Sequence, residues 1–241
     1  MFKETLFALL KEPREGIERY LLNHHIPLTF ELPFMTEPML GLSIACVLRP
    51  EEYPNATCAY QRESGPYILV EHDFKYDTGM QKIIDNEQYQ TIVRPDEEYM
   101  AREFVDVASA PLSYRLEETI DFSSSNPGPH RVFDFLMKRE GVSDEAFSQA
   151  LMQGGQKLRD DPAIRKSIRR LVHNIVKKNS EYLYYKTADV FDAVIEYWVD
   201  DFAHLDSIAA KLRAPHADFV NAAACRSFLT RDHDAMKRLP E

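Results

Sequence analysis

Apolar residues along this chain gather in short runs of strand length, separated by stretches in which they recur at helical spacing. Glu4 to Leu10 opens as an apolar strand, and Pro13 turns the chain into a helical pattern from Arg14 to about Phe30. A second strand is expected at Met39 to Leu48 and, after a loop, a third at Tyr67 to Phe74. Helical patterns follow at Thr78 to Val93 and Asp96 to Ala101, before a final strand at Glu103 to Val107 that extends toward Leu116.

The polar, turn-rich Ser123-Ser124-Ser125-Asn126-Pro127-Gly128-Pro129 then interrupts both periodicities. Beyond it the same layout returns. Val132 to Met137 reads as a strand, and Ser143 caps a helix carrying Phe147, Ala150, Leu151 and Leu158. Strands at Ser167 to Lys177 and Val190 to Val199 come next, then helical stretches at Phe202 to Leu212 and Pro215 to Ala223, and a last strand at Arg226 to Thr230.

The order βαββαβ therefore occurs twice. Val70-Glu71-His72-Asp73-Phe74 lies opposite Ile195-Glu196-Tyr197-Trp198-Val199, which matches Glu71 to Glu196 and His72 to Tyr197. The expected fold is α+β: two tandem ferredoxin-like units, residues 1–122 and 130–241 joined by a linker at 123–129. Each antiparallel sheet has helices on one face, and the two sheets pack into an intramolecular barrel with a small-molecule pocket between them.

A length of 241 residues suits two such units, and 44% hydrophobic residues can supply their cores. The net charge of −10 argues against a nucleic-acid surface. The basic stretch from Lys157 to Lys178 alternates with apolar residues and reads as a solvated edge, with an anionic ligand as the alternative. Leu6 to Leu10 is too short for a signal peptide and no run is long enough to cross a membrane, so cytoplasm is the expected location. Cys46, Cys58 and Cys225 form no disulfide framework or zinc pattern.

The chain resembles the EthD-like family of the dimeric α+β barrel superfamily over nearly its whole length. The resemblance is carried by His25-Ile26-Pro27-Leu28 followed by Leu32-Pro33, by Val70-Glu71-His72, and by Glu87-Gln88-Tyr89 before Asp96-Glu97. In the second half it rests on Ile195 to Asp200 followed by Ala214-Pro215-His216. That half lacks the His-x-Pro element and carries Gln153-Gly154-Gly155 there, so the resemblance implies one asymmetric site centred on the first half. It also implies a choice of chemistries: the superfamily holds cofactor-free cyclases, monooxygenases, isomerases and lyases, and some haem proteins. Such units commonly pair, so a homodimer is compatible with it.

His25, at a helix end, is the leading candidate acid or base, against a plain capping role. His24 should face a different direction, so only one of the two should enter the pocket. Glu71 and His72 must point to opposite faces of their strand. An inward His72 would pair with His25; an inward Glu71 would be a carboxylate base with a raised pKa. His173, Tyr184, Tyr185, Tyr197 and Glu196 are candidate substrate-binding groups, with core or loop packing as their alternative. His130, His204, His216 and His233 are expected at the surface.

No metal, nucleotide or serine-hydrolase motif is present, so an enzyme here is expected to need no cofactor. The leading expectation is a lyase or isomerase acting by acid–base chemistry on a hydrophobic, aromatic or polyketide-like small molecule. A non-catalytic carrier or sensor is the alternative, and a haem enzyme with His173 or His72 as axial ligand is a weaker one.

Overall fold

The computed structural model describes residues 2–11, 15–63, 65, 67–76, 78–105, 112–124, 128–176 and 191–236. In chain order the first half holds β1 (Phe2–Leu9), α1 (Glu15–Tyr20), a π-helical turn (Leu21–His25), α2 (Ile26–Phe30), α3 (Pro33–Thr36), β2 (Met39–Val47), β3 (Gln61–Glu63) and β4 (Tyr67–Phe74). It continues through α4 (Gly79–Ile84), a second π-helical turn (Tyr89–Val93), α5 (Arg94–Phe104) and β5 (Leu112–Ser123). The second half holds β6 (His130–Leu136), α6 (Asp144–Asp160), α7 (Pro162–Ser167), β7 (Ile168–Val176), β8 (Ala193–Val199), α8 (Leu205–Arg213) and β9 (Arg226–Met236).

The strand order is β2-β4-β1-β5-β7-β8-β6-β9, and β9 pairs back onto β2. Eight strands thus close a ring, with β3 attached to β9 in parallel. Each half contributes four strands in the same spatial order, so the fold is two tandem ferredoxin-like units in an α+β barrel. The halves join by hydrogen-bonded ladders, Leu116 opposite Val176 at one seam and Val47 opposite Thr230 at the other. Closure, rather than face packing of two open sheets, removes the unpaired edges.

Alternation along each strand sends one side chain into the barrel and the next toward the helices. On the helix side of the second half, Val132, Leu136, Leu171, Ile195 and Tyr197 pack against Phe147, Leu151, Leu158, Ile164, Leu205 and Ile208. In the first half, Leu42, Ile44 and Ile68 pack against Ile17, Leu21 and Ile26. Inside the barrel, Ala45, Val47, Leu69, Phe133, Phe135, Val194 and Phe228 form an apolar layer.

Local chemistry sets several element ends. The Ser143 hydroxyl accepts the Ala146 N–H at 3.2 Å, and Asp161 accepts the Ala163 N–H at 2.7 Å just before Pro162. Gly128, in the turn leading into β6, has φ +92°, where a β-carbon would also lie 2.8 Å from the Val199 carbonyl oxygen. The expected strand at Glu103 is instead helix, because Pro95, Asp96 and Glu97 open α5 and Arg102 suits its last turn. The loop after β2 crosses onto the other half: Tyr60 and Ala59 join its core, and the Thr57 N–H donates to Asp206 at 3.0 Å.

Candidate functional site

The third strands β4 and β8 distribute the expected site residues among three places. Glu71 and Glu196 point into the barrel, whereas His72 and Tyr197 lie on the helix-facing sides of their halves. Of the two alternatives for β4, Glu71 is the residue that faces the barrel interior, and His72 lies on the side of the helices and His25. Strand alternation separates Glu71 from the histidines.

Inside the barrel the two glutamates meet Lys3 and Arg131, which occupy matching second positions of β1 and β6. Lys3 Nζ lies 2.8 Å from Glu196 Oε1 and 3.3 Å from Glu71 Oε1, and Arg131 contacts both carboxylates. The Ser43 hydroxyl donates to Glu71 at 3.1 Å, and the Asn174 amide donates to Glu196 at 2.6 Å. Arg131 also stacks over Phe133 and Trp198, at 4.2 and 4.5 Å from the ring centroids. All four charged side chains are buried.

Burial opposes charge on both glutamates. At Glu196 the flanking Arg131 and Lys3 outweigh it and pull the pKa below the ordinary carboxylate value. At Glu71 burial, helped by the charge of Glu196, wins and pushes the pKa up. Glu71 is thus inward and raised, as one alternative required, but its oxygens are engaged by cations. That makes it a structural ion-pair partner.

The second place lies between β4 and the helices of the first half. In the π-helical turn the Ile26 N–H donates to the Leu21 carbonyl, one residue further back than in an α-helix. His24 and His25 leave this turn toward the same carboxylate, Asp96, in the first turn of α5. His25 Nδ1 lies 2.6 Å from Asp96 Oδ2 and His24 Nε2 lies 3.0 Å from Asp96 Oδ1. The expectation that the adjacent histidines diverge is corrected by this turn. The Tyr20 hydroxyl also donates to Oδ1, and the Tyr20 ring packs on Tyr99 and Phe104, each 5.4 Å away.

His72 approaches this group from β4, and its buried Nδ1 has no hydrogen-bond partner among the described residues. Burial, with the nearby His25, lowers its pKa to about 4. Burial also lowers that of His25, against the pull of Asp96. At Asp96 burial is outweighed by the hydrogen bonds from Tyr20 and His25, which hold the carboxylate below its ordinary value. The hydrogen bonds thus favour the ionised form of Asp96, while burial disfavours charge on the two imidazoles beside it.

The third place is the helix side of the second half. His173 faces helices there, its ring 5.6 Å from that of His216. His216 is buried, a correction to its expected surface position, and α6 approaches it closely at Gly154. Tyr197 is buried in the same layer near Asp134, whose carboxylate accepts a 2.5 Å bond from Ser227. Tyr184 and Tyr185 lie outside the described residues. Lys157, Arg159, Arg165, Lys166 and Arg169 are exposed, and Arg169 pairs with Asp200.

Both axial-ligand candidates of the haem alternative, His173 and His72, lie against other rings. His216 lies against His173, and a methyl at Gly154 would sit 2.2 Å from the His216 ring, so this layer is closed by direct packing. His72 lies stacked beside Phe74 at 6.2 Å, and His25 is near enough to lower its pKa.

Asp96 and Tyr20 are the site residues that sequence reasoning missed; Asp96 stood only as part of a family-like pattern, and its partners are 71 and 76 residues away. Lys3 and Arg131 carried a usable signal, since each is a cation at the same position of a first strand.

No helix among the described residues is long and apolar enough to cross a membrane, and no group of three or more metal-ligating side chains is present among them. No family model matches the sequence, and no curated protein matches it. Solved structures do resemble it. A candidate monooxygenase from Fusobacterium nucleatum subsp. nucleatum superposes with a TM-score of 0.60 at 10% identity, over 99% of this chain and 98% of that one. An anthrone oxidase-like protein gives 0.58 at 12% identity, over 99% and 94%, and a candidate chlorite dismutase gives 0.53 at 11%, over 97% and 95%. At these identities the likeness is one of fold, and it agrees with the strand order in making this chain a ferredoxin-like α+β barrel protein.

Proposed function

We propose that this chain is an enzyme that processes a hydrophobic, aromatic or polyketide-like small molecule by acid–base chemistry, with His25 as the base. The observation that carries the reading is the 2.6 Å contact between His25 Nδ1 and Asp96 Oδ2, beside a second half-buried histidine, His72, whose Nδ1 is buried. An ionised Asp96 accepts the Nδ1 proton, which leaves the lone pair on Nε2 and fixes the tautomer. Nε2 then removes a proton from carbon or a phenol, and Asp96 balances the charge of the imidazolium. His72, neutral at neutral pH, hydrogen-bonds the substrate oxygen.

Loss of water, carbon dioxide or a small aldehyde, or ring closure, all follow from such a step, so the reaction class is lyase or isomerase without a cofactor. The names of the neighbouring folds, a monooxygenase candidate and an anthrone oxidase-like protein, support a small oxidisable or aromatic substrate. The same reading takes the chain as an EthD-like cytoplasmic protein, with repeats at 1–122 and 130–241 linked by 123–129, compatible with a homodimer.

The test is native mass spectrometry of freshly purified protein incubated with mixed aromatic metabolites. Wild type should convert a bound compound with a change of mass, and His25→Gln should bind it unchanged. Binding without conversion by wild type would instead establish the carrier reading.

A further inference from the structure

Consecutive side chains on an α-helix diverge by about 100°, so neighbours seldom share one partner. The π-helical turn Leu21–His25 makes an exception, and Asp96 receives both of its histidines, one on each carboxylate oxygen. The two rings differ in setting: the His24 side chain is 56% exposed and that of His25 is 14% exposed. We propose that His24 is a positioning residue of this site, which holds Asp96 in the orientation that serves His25 and sets the pH at which His25 takes up a proton.

Two physical effects support this assignment. With His24 and Tyr20 on Oδ1 and His25 on Oδ2, the carboxylate is held at both ends and cannot rotate away from His25. The second effect is electrostatic. Burial disfavours charge on His25, and a neighbouring positive charge disfavours it further. Once charged, His24 repels a proton on His25 and also claims part of the charge of Asp96.

The other titratable groups facing the pair act in known directions. His72, from β4, is neutral, Tyr20 keeps its proton because burial and Asp96 push its pKa well up, and Tyr99 of α5 packs against Tyr20. Asp96 is therefore the shared anion for which both imidazoles compete. A catalytic role for the pair rests on the acid–base reading above, but the coupling itself needs no substrate to be measured.

The experiment is an NMR titration of the histidine rings in the full chain, comparing wild type with His24→Gln. Glutamine keeps a donor for Asp96 and removes the competing charge. The protonation constant of His25 should rise by about threefold or more, and the two rings of the wild type should titrate with coupled, biphasic shifts. Tyr20→Phe, which weakens the hold on Asp96 without removing a charge beside His25, should not reproduce that rise. An unchanged or lower His25 midpoint in a folded His24→Gln protein overturns the proposal, whereas full turnover by His25→Gln would overturn the catalytic reading alone.

Discussion

Replacing Arg131 by Met should expose how much of the barrel depends on its ionic layer. Arg131 contacts the buried Glu71 and Glu196, lies 3.5 Å from the half-buried Asp232 and donates to the Ser43 hydroxyl at 3.2 Å. Methionine fits beside Phe133 and Trp198 but leaves two carboxylates facing the single ammonium of Lys3. Removing one partner from a buried pair costs about 3–5 kcal/mol, against a total stability of about 5–15 kcal/mol for a folded protein. The variant should therefore unfold at markedly lower urea concentration than wild type.

The pH dependence sharpens this prediction. Glu71 already has a raised pKa, and loss of Arg131 raises it further, so the folded variant takes up a proton. The stability linked to a raised carboxyl is present in acid and lost as pH rises through the folded pKa. In wild type the lowered Glu196 works oppositely, giving stability that is lost as pH falls. The Glu71 effect shrinks the cost of Arg131→Met in mild acid and enlarges it in alkali, whereas the wild-type Glu196 effect enters only below the ordinary carboxylate range. Urea unfolding at pH 5 and pH 8 measures it, and adding Glu71→Gln should recover part of the loss at pH 8. A cost below about 1 kcal/mol at pH 8, or equal costs at both pH values, would refute the reasoning.

Three further outcomes follow from particular contacts. Gly154→Ala should destabilise by about 1–3 kcal/mol, because its methyl would meet the His216 ring at 2.2 Å; thermal unfolding should show partial rescue by adding His216→Ala. Burial, against a hydrogen bond from Ser227, raises the Asp134 pKa from 3.8 to about 7. Its contribution is thus complete in acid and lost as pH rises toward 7, by at most roughly 4 kcal/mol, and Asp134→Asn should flatten that segment of the stability curve. Ser143→Ala removes the cap of α6 and should cost about 1 kcal/mol, seen as a lower melting temperature.

The paired βαββαβ layout could be read from the sequence because alternating apolar residues mark most strands, and Ser143 and Pro162 mark helix starts. The equivalence of Glu71 and Glu196 was visible in the matching third strands, and it holds in space. Closure was less visible, since the seams depend on backbone pairing between β5 and β7 and between β9 and β2. The end of α5 was misread because Glu103, Phe104 and Val105 look like a strand locally, while the charges before them favour helix.

Site geometry was harder to read for the same reason of range. Asp96 acquires its role only when α5 packs beside α1, and the common target of His24 and His25 needs a π-helical turn, which no local pattern announced. His216 looked like a surface residue because only the close approach of Gly154 shows that it is buried.

The central claim, that acid–base chemistry resides with His25 and Asp96 on the helix side of the first half, is tested most directly by turnover. Wild type, His25→Gln and Asn174→Ala would be incubated with aromatic metabolites and the products weighed by mass spectrometry; Asn174 touches Glu196 inside the barrel and lies outside the proposed site. Conversion by wild type and Asn174→Ala but not by folded His25→Gln is the predicted result. Conversion that survives His25→Gln and disappears with Asn174→Ala would contradict the account and move the chemistry into the barrel.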